Sequence, residues 1–265
     1  MPREGHFSFM NEIPIADIRS LAEAADATQL AALERSLQGD ARKGVAAILK
    51  RAHARLDACK AEADRLDGIY AFQESLAQDA GARCVVGVDE VGRGPLAGPL
   101  VVGAVVLPPE PIVWGIDDSK RLSPAARERL DARIREVATA VSLVWVPPAD
   151  IDAHGMSACL RRAMGEAVSA CGVEPDAVLI DGNPVHAHPR ERCLVGGDGR
   201  VASIACASIV AKVARDRRMV ELDAAYPGYG FASNKGYGSA SHIAAIRSLG
   251  LTPEHRASFC GRFVD

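Results

Sequence analysis

The sequence predicts an α/β protein: a mixed β-sheet covered by helices, preceded by a helical N-terminal extension. Three observations carry this. Residues 14–80 are rich in Ala, Leu, Glu, Arg and Lys and poor in strand formers. From Arg83 the texture changes to continuous apolar runs, the pattern of strands buried on both faces. Beyond those runs, helical and strand-like segments alternate, as they do when helices cover a sheet. The 265 residues suit one main domain with an appendage. The expected division is 1–80 for the extension and 81–265 for the main domain, with Gln78-Asp-Ala-Gly81 as a hinge.

The elements follow in order. Ile15–Ala25, Gln29–Leu37 and Gly44–Gln78 read as helices; in the longest, Val45, Ile48 and Leu49 share a face that Leu56, Cys59 and Ala63 continue. Its other face carries Arg42, Lys43, Lys50, Arg51 and Arg55, either a solvated surface or a second nucleic-acid contact. Val85–Val88 and Leu100–Leu107 read as buried strands, the second stopped by Pro108-Pro109. Ser123 is placed to cap a helix that opens on Pro124 and runs to about Ala138. Val141–Val146 is a strand, and a helix is expected within Pro147–Cys171, ending near Gly172. Ala177–Ile180 is a short strand ending on Asp181-Gly182. Ser203–Ala225 is an alanine-rich helix, Tyr226–Gly238 a glycine- and tyrosine-rich loop, and Ser241–Leu249 a last helix. Trp114 and Trp145 are expected in the packing.

Composition excludes several classes. No apolar run approaches the roughly 18 residues of a membrane span, and Met1–Met10 lacks the basic flank and apolar core of a secretory signal. The seven cysteines are scattered, without a Cys-x-x-Cys, which argues against a disulfide framework or zinc site and for a reducing cytosol. They are expected to be small buried hydrophobes. Net charge is −3, but Arg190–Arg262 holds many cations and few acids, so a local basic face can bind phosphates.

The chemistry concentrates at 85–103. An apolar run ends on Asp89 and Glu90, followed by Gly92-Arg93-Gly94 and a second apolar run. Two carboxylates at the end of a buried strand repel unless a cation lies between them, and metal ions are the usual answer. Glycines beside Arg93 let backbone approach a ligand. Together these suggest metal-dependent chemistry on an anionic substrate. Adjacent strand residues point to opposite faces, so Asp89 and Glu90 can share a site only where the strand twists or ends. Asp181 closes a later strand, and Asp198 sits in the Gly196-Gly197-Asp198-Gly199 loop. Asp198 is preferred to Asp216 as fourth acid, because Lys212 one turn before Asp216 explains that residue as an ion pair. Two divalent ions on these acids suit phosphodiester hydrolysis. Lys120, Ser208, Lys212 and Lys235 are candidate phosphate contacts. His242 and His255 are assigned no catalytic role.

These residues resemble a known family. Asp89-Glu90-Val91-Gly92-Arg93-Gly94-Pro95-Leu96-Ala97-Gly98-Pro99 is similar to the signature of bacterial type 2 ribonuclease H. The likeness continues through Asp118–Ser123, Leu179–Asn183, Ser203–Val213, Arg215–Arg217, Tyr226–Phe231, Asn234–Gly238, His242 and Pro253–Phe259. The resemblance implies a ribonuclease H-like fold, with a five-stranded mixed sheet flanked by helices and a helical C-terminal part. It implies an endonuclease that cuts the RNA strand of RNA–DNA hybrids and incises duplex DNA 5′ of single embedded ribonucleotides, leaving 3′-hydroxyl and 5′-phosphate ends, as in ribonucleotide excision repair. It implies Mn2+ or Mg2+, two ions per site, held by Asp89, Glu90, Asp181 and Asp198. It implies that Gly92, Arg93 and Gly94 sense the 2′-hydroxyl at the RNA–DNA junction and that Tyr237 stacks on the following sugar; Lys120, Ser208 and Lys212 complete the expected substrate-binding set. The family usually follows Gly-Asp with Ala or Ser and then Lys, where this chain has Gly199 and Arg200. The sister type HIII lacks that arginine and carries a sheet-containing N-terminal domain. A cytoplasmic monomer is expected, with no sliding-clamp motif in Ser258–Asp265.

Overall fold

The computed structural model describes residues 13–264; the Met1–Met10 stretch and Asp265 lie outside them. The described chain forms two compact units, which divide between Asp67 and Gly68, inside its longest helix.

The first unit is helical. It contains α1 (Ile15–Ala24), α2 (Ala27–Ser36) and the start of α3 (Lys43–Ala80). Ile18, Ala22, Leu30, Leu37, Val45, Ile48 and Ala52 form its core, with Leu49 and Leu56 packed against it; Val45, Ile48, Leu49 and Leu56 are on the stripe read from the sequence, whose Cys59 is exposed. Asp26 and Gln29 cap α2 reciprocally. Two of the five basic residues are engaged inside this unit. Arg42 pairs with Asp40 at 2.5 Å and donates to the Ile13 carbonyl, and Arg55 donates to the carbonyls of Ala22 and Ala25 at the end of α1. Lys43, Lys50 and Arg51 are exposed.

The second unit is built on a five-stranded mixed sheet. Its strands are β1 (Val85–Val91), β2 (Leu100–Val106), β3 (Ala140–Val146), β4 (Ala177–Asp181) and β5 (Glu191–Leu194), in the order β3-β2-β1-β4-β5. β1, β2 and β3 form an antiparallel meander; β4 runs parallel to β1, and β5 parallel to β4. The helices are α4 (Pro124–Val137), α5 (Pro148–His154), α6 (Met156–Ala170), α7 (Ala202–Ala225), α8 (Phe231–Asn234), α9 (Ala240–Leu249) and α10 (Ala257–Cys260). Ser123 caps α4, with Pro124 in the first turn.

Strand alternation sorts the two faces. Val86, Val88, Val102 and Ala104 join Leu160, Ala163 and Met164 of α6 in the main core. On the other face α7 crosses at Gly87 and Gly103. A Cβ on Gly87 would lie 2.3 Å from the Ser203 carbonyl carbon, and one on Gly103 would lie 2.6 Å from the Ala207 carbonyl oxygen. The two glycines therefore let the helix backbone rest directly on the strands. Alanine and small residues on α7 make the same close approach possible from the other side.

Several expectations need correction. β5 was not foreseen: its four residues, Glu-Arg-Cys-Leu, show no alternation and are only partly buried. The helix expected within 147–171 is α6, which ends at Ala170, but a second helix, α5, precedes it, set off by Gly155, whose φ of 77° places it in the left-handed region. Trp114 and Trp145 are 52% and 43% exposed rather than packed. All seven cysteines are free, but Cys59 is exposed and Cys84, Cys171 and Cys193 are half-buried. The basic C-terminal run is not one surface, since Arg215 and Arg256 are fully buried. Among the described residues, no helix is long and apolar enough to cross a membrane.

Candidate active site

The sheet register brings the acids together. Val88 of β1 pairs with Ile180 of β4, so Asp89 and Asp181 come one step later, side by side where the β1–β4 pairing ends. Asp198 reaches them from a 3-10 turn at Gly197–Gly199. Gly196 enters that turn with a φ of 68°, and the Gly197 amide donates to Asp181 Oδ1 at 2.7 Å. The turn is thereby fastened to the strand end. Carboxylate oxygens of Asp89, Asp181 and Asp198 all lie within 4.8 Å of one another.

Glu90 stands apart from this trio. It follows Asp89 on the strand, and its Oε1 accepts from Arg93 at 3.2 Å. It still feels the cluster: burial raises its pKa, the Arg93 guanidinium draws it down, and Asp181 adds a smaller upward push. The sequence objection to two adjacent acids is thus met only in part, as a shared electrostatic field rather than a fourth carboxylate in the same group.

The electrostatics are those of a site built for cations. Asp89 is buried, and its pKa is pushed well up, first by burial and then by Glu90, with the Ser208 hydroxyl drawing it back. Asp181 is also raised, by burial and then by Asp198. Converging carboxylates protonate or hold a cation. An all-oxygen donor set of this kind fits Mg2+ or Mn2+, and Asp89, Asp181 and Asp198 are the group that could hold such an ion, with Glu90 beside them. Lys120 supplies the nearest protein cation, its Nζ 3.2 Å from Asp198 Oδ2 and 3.7 Å from Asp118.

The other predicted residues divide. Ser208 is buried on α7, its hydroxyl 2.9 Å from that of Ser119. Lys212, one turn further, is held 2.5 Å from Asp216, and Arg127 stands 3.6 Å from the same carboxylate. Lys235 is half-buried, with a left-handed φ of 51°. Gly92, Arg93 and Gly94 lead from β1 into a loop beside Tyr237: a Cβ on Gly94 would lie 3.9 Å from the tyrosine ring. The Tyr237 side chain is 49% exposed, and the Arg93 side chain is exposed as well.

Sequence reasoning missed what holds this loop. The Arg256 guanidinium donates to the carbonyls of Gly92, Arg93, Pro95 and Gly98. Arg215 donates to those of Ala97, Pro99 and Lys235. Neither touches a carboxylate among the described contacts. Burial lowers both, Arg256 to about 10, which leaves Arg256 charged at neutral pH. In sequence each is one arginine in a basic run; only the burial shows its role.

Comparison with known proteins identifies the family. The ribonuclease HII family model matches residues 86–262, and the ribonuclease HII N-terminal domain model matches residues 14–77. Ribonuclease HII of Geobacillus thermodenitrificans is 45% identical over 223 residues, covering 84% of this chain and 86% of the relative. That of Moorella thermoacetica is 46% identical over 199 residues, covering 75% and 96%. Among solved structures, ribonuclease H2 from Pyrococcus horikoshii superposes with a TM-score of 0.59 at 27% identity, over 68% of this chain and 98% of that one. The ribonuclease HII of the Archaeoglobus fulgidus complex with PCNA gives 0.56 at 25%, over 65% and 93%. With matching models along both units and relatives this similar over most of their length, the chain belongs to the ribonuclease HII family and is a metal-dependent endoribonuclease.

Proposed function

We propose that this enzyme hydrolyses the RNA strand of RNA–DNA hybrids and also incises duplex DNA on the 5′ side of a single embedded ribonucleotide, leaving 3′-hydroxyl and 5′-phosphate ends. The observation that carries this reading is the convergence of Asp89, Asp181 and Asp198 at one strand end, beside an open loop that carries Gly92-Arg93-Gly94 and Tyr237. In this proposal those three acids and Glu90 hold two divalent ions, Mn2+ or Mg2+. When bound, such ions activate a water and stabilise the charge developing on a phosphodiester.

The chain's own residues supply the rest. Asp89 and Asp181 are fixed by β1 and β4, so their carboxylates are positioned by the sheet and not by flexible loops. The Ser208 hydroxyl interacts with Asp89 and is held in turn by Ser119, and Lys120 balances Asp198. The Gly92–Gly94 backbone can approach a nucleic-acid strand closely because no side chains intervene at the two glycines. The 2′-hydroxyl distinguishes RNA from DNA at such a contact, and the exposed ring of Tyr237 offers a face for the next sugar. Lys212 contributes positive charge within an ion-paired group and not as a free cation. Residues 81–265 form the proposed catalytic domain, with 1–80 as an extension. Removal of ribonucleotides from DNA, in the reducing cytoplasm that seven free cysteines suit, is the proposed setting.

The test is a labelled DNA duplex carrying one ribonucleotide, alongside a long RNA–DNA hybrid, with Mn2+ or Mg2+ and an EDTA control. Wild type should cut 5′ of the ribonucleotide only with metal. Asp89→Asn should bind both substrates and cut neither. Near-wild-type turnover by that variant would remove the carboxylate assignment. Cleavage of the hybrid alone would remove the junction reading.

A further inference from the structure

The end of α3, from Gly68, belongs to the second unit, and its side chains converge on one place. The Gln73 side-chain oxygen accepts a hydrogen bond from the Ser203 amide at 2.8 Å. That amide lies in the first turn of α7, where Val201 occupies the cap position and offers no side-chain acceptor. Gln73 therefore does for α7 what Ser or Asp at the cap position usually does. Phe72 and Leu76 pack against Leu179, Val201 and Ile204. The Arg200 guanidinium lies 4.7 Å from the centre of the Phe72 ring, at cation–π distance.

These contacts bracket Asp198. Leu179 precedes Asp181 by two residues on β4. Arg200 and Val201 lie two and three residues after Asp198, and both their amides donate back to the Gly197 carbonyl to close its turn. The turn itself contains Gly196, Gly197 and Gly199, so its backbone has more freedom to lose than any other composition would give. It is tied on one side by the Gly197 amide to Asp181 and on the other by residues that rest on α3.

We propose that the Gly68–Ala80 segment of α3 is a positioning element for the carboxylate site. Phe72 and Gln73 act through Arg200 and Ser203 to hold the Asp198 turn against Asp89 and Asp181. The segment lies outside the sheet and its covering helices, and it gives the helix that begins in the N-terminal unit a function in the site. The inference rests on the reading of Asp89, Asp181 and Asp198 as metal-holding acids.

The experiment uses the full chain with Gln73→Ala, Gln73→Glu and Phe72→Leu, and two readouts that need no turnover. One is amide hydrogen exchange across 196–204; the other is Mn2+ affinity by electron paramagnetic resonance of the free ion. Gln73→Ala should speed exchange and weaken Mn2+ binding by about fivefold each, the effect of one lost helix cap. Cleavage at saturating Mn2+ should stay near wild type, so the loss falls on the metal dependence and not on kcat. Gln73→Glu keeps an acceptor and should restore both readouts, and Phe72→Leu should shift both in the same direction as Gln73→Ala. Wild-type exchange and affinity in Gln73→Ala and Phe72→Leu would overturn the proposal, as would a lowered Tm with neither readout changed. Asp181→Asn separates the two readings. If it binds Mn2+ as wild type does, the carboxylate assignment falls, and the exchange data alone decide whether α3 braces the turn.

Discussion

Replacing Arg256 by methionine removes the guanidinium on which the Gly92–Pro99 loop is hung. The side chain is fully buried and makes five hydrogen bonds to four carbonyl oxygens, those of Gly92, Arg93, Pro95 and Gly98. A buried acceptor left without a partner costs about 1–3 kcal/mol. Four of them at the lower end give about 4 kcal/mol, reduced if the loop swings out to water. Methionine removes the burden of a buried charge, which offsets part of the loss, so about 3 kcal/mol is expected. Lysine keeps the charge but has no planar fork; it can reach one or two of the four oxygens and should fall between. Urea unfolding followed by circular dichroism measures the stability. Steady-state cleavage of a single-ribonucleotide duplex measures the loop, and it should fall more than cleavage of a long hybrid if the loop reads the junction. A loss below about 1 kcal/mol for Arg256→Met would show that the loop carbonyls find other partners and that the guanidinium is not what shapes the loop.

Other outcomes follow from the same geometry. Gly87→Ala would put a methyl group 2.3 Å from the Ser203 carbonyl carbon. It should cost about 3 kcal/mol by overpacking and lower cleavage by displacing α7 from β1; unchanged unfolding would refute the close approach. Tyr237→Ala should reduce kcat/KM on a single-ribonucleotide duplex about tenfold, the worth of a stacking contact, and affect long hybrids less; equal losses would remove its junction role. His242 and His255 lie 3.1 Å apart between buried rings, and His255 is lowered to about 4, first by burial and then by His242. A histidine whose folded pKa lies below its unfolded value near 6.5 contributes its full stability above pH 6.5. That stability is lost as pH falls towards 4, by up to about 3 kcal/mol. Tm measured from pH 7.5 to 4.5 should therefore fall less steeply in His255→Asn than in wild type, and parallel profiles would refute the assignment.

How much of this was legible in the sequence depended on whether the signal was local. Asp89, Glu90 and Asp181 showed because acids that close apolar runs are anomalous wherever the runs pair. The helices of the extension and α4, α7 and α9 showed through composition, caps and periodicity, all of which act within a few residues. β5 did not show, because a short, partly exposed edge strand needs only a partner and not an apolar pattern. The short α5 did not show as a separate helix, because the break between it and α6 rests on a single left-handed residue, Gly155.

By itself, then, the sequence determined the strands that carry the acids, the helices that cover them and the candidate residues of the site. Only the tertiary structure decided which acids meet. The β1–β4 register sets Asp89 beside Asp181, a glycine turn brings in Asp198, and Glu90 is directed towards Arg93. The structure also decided that Arg215 and Arg256 are internal struts and that α7 is capped by a glutamine 130 residues away. The strand register, the two struts and the cap depend on partners distant in the chain, and the energy of a buried charge or an open helix end is fixed by what the fold places against it.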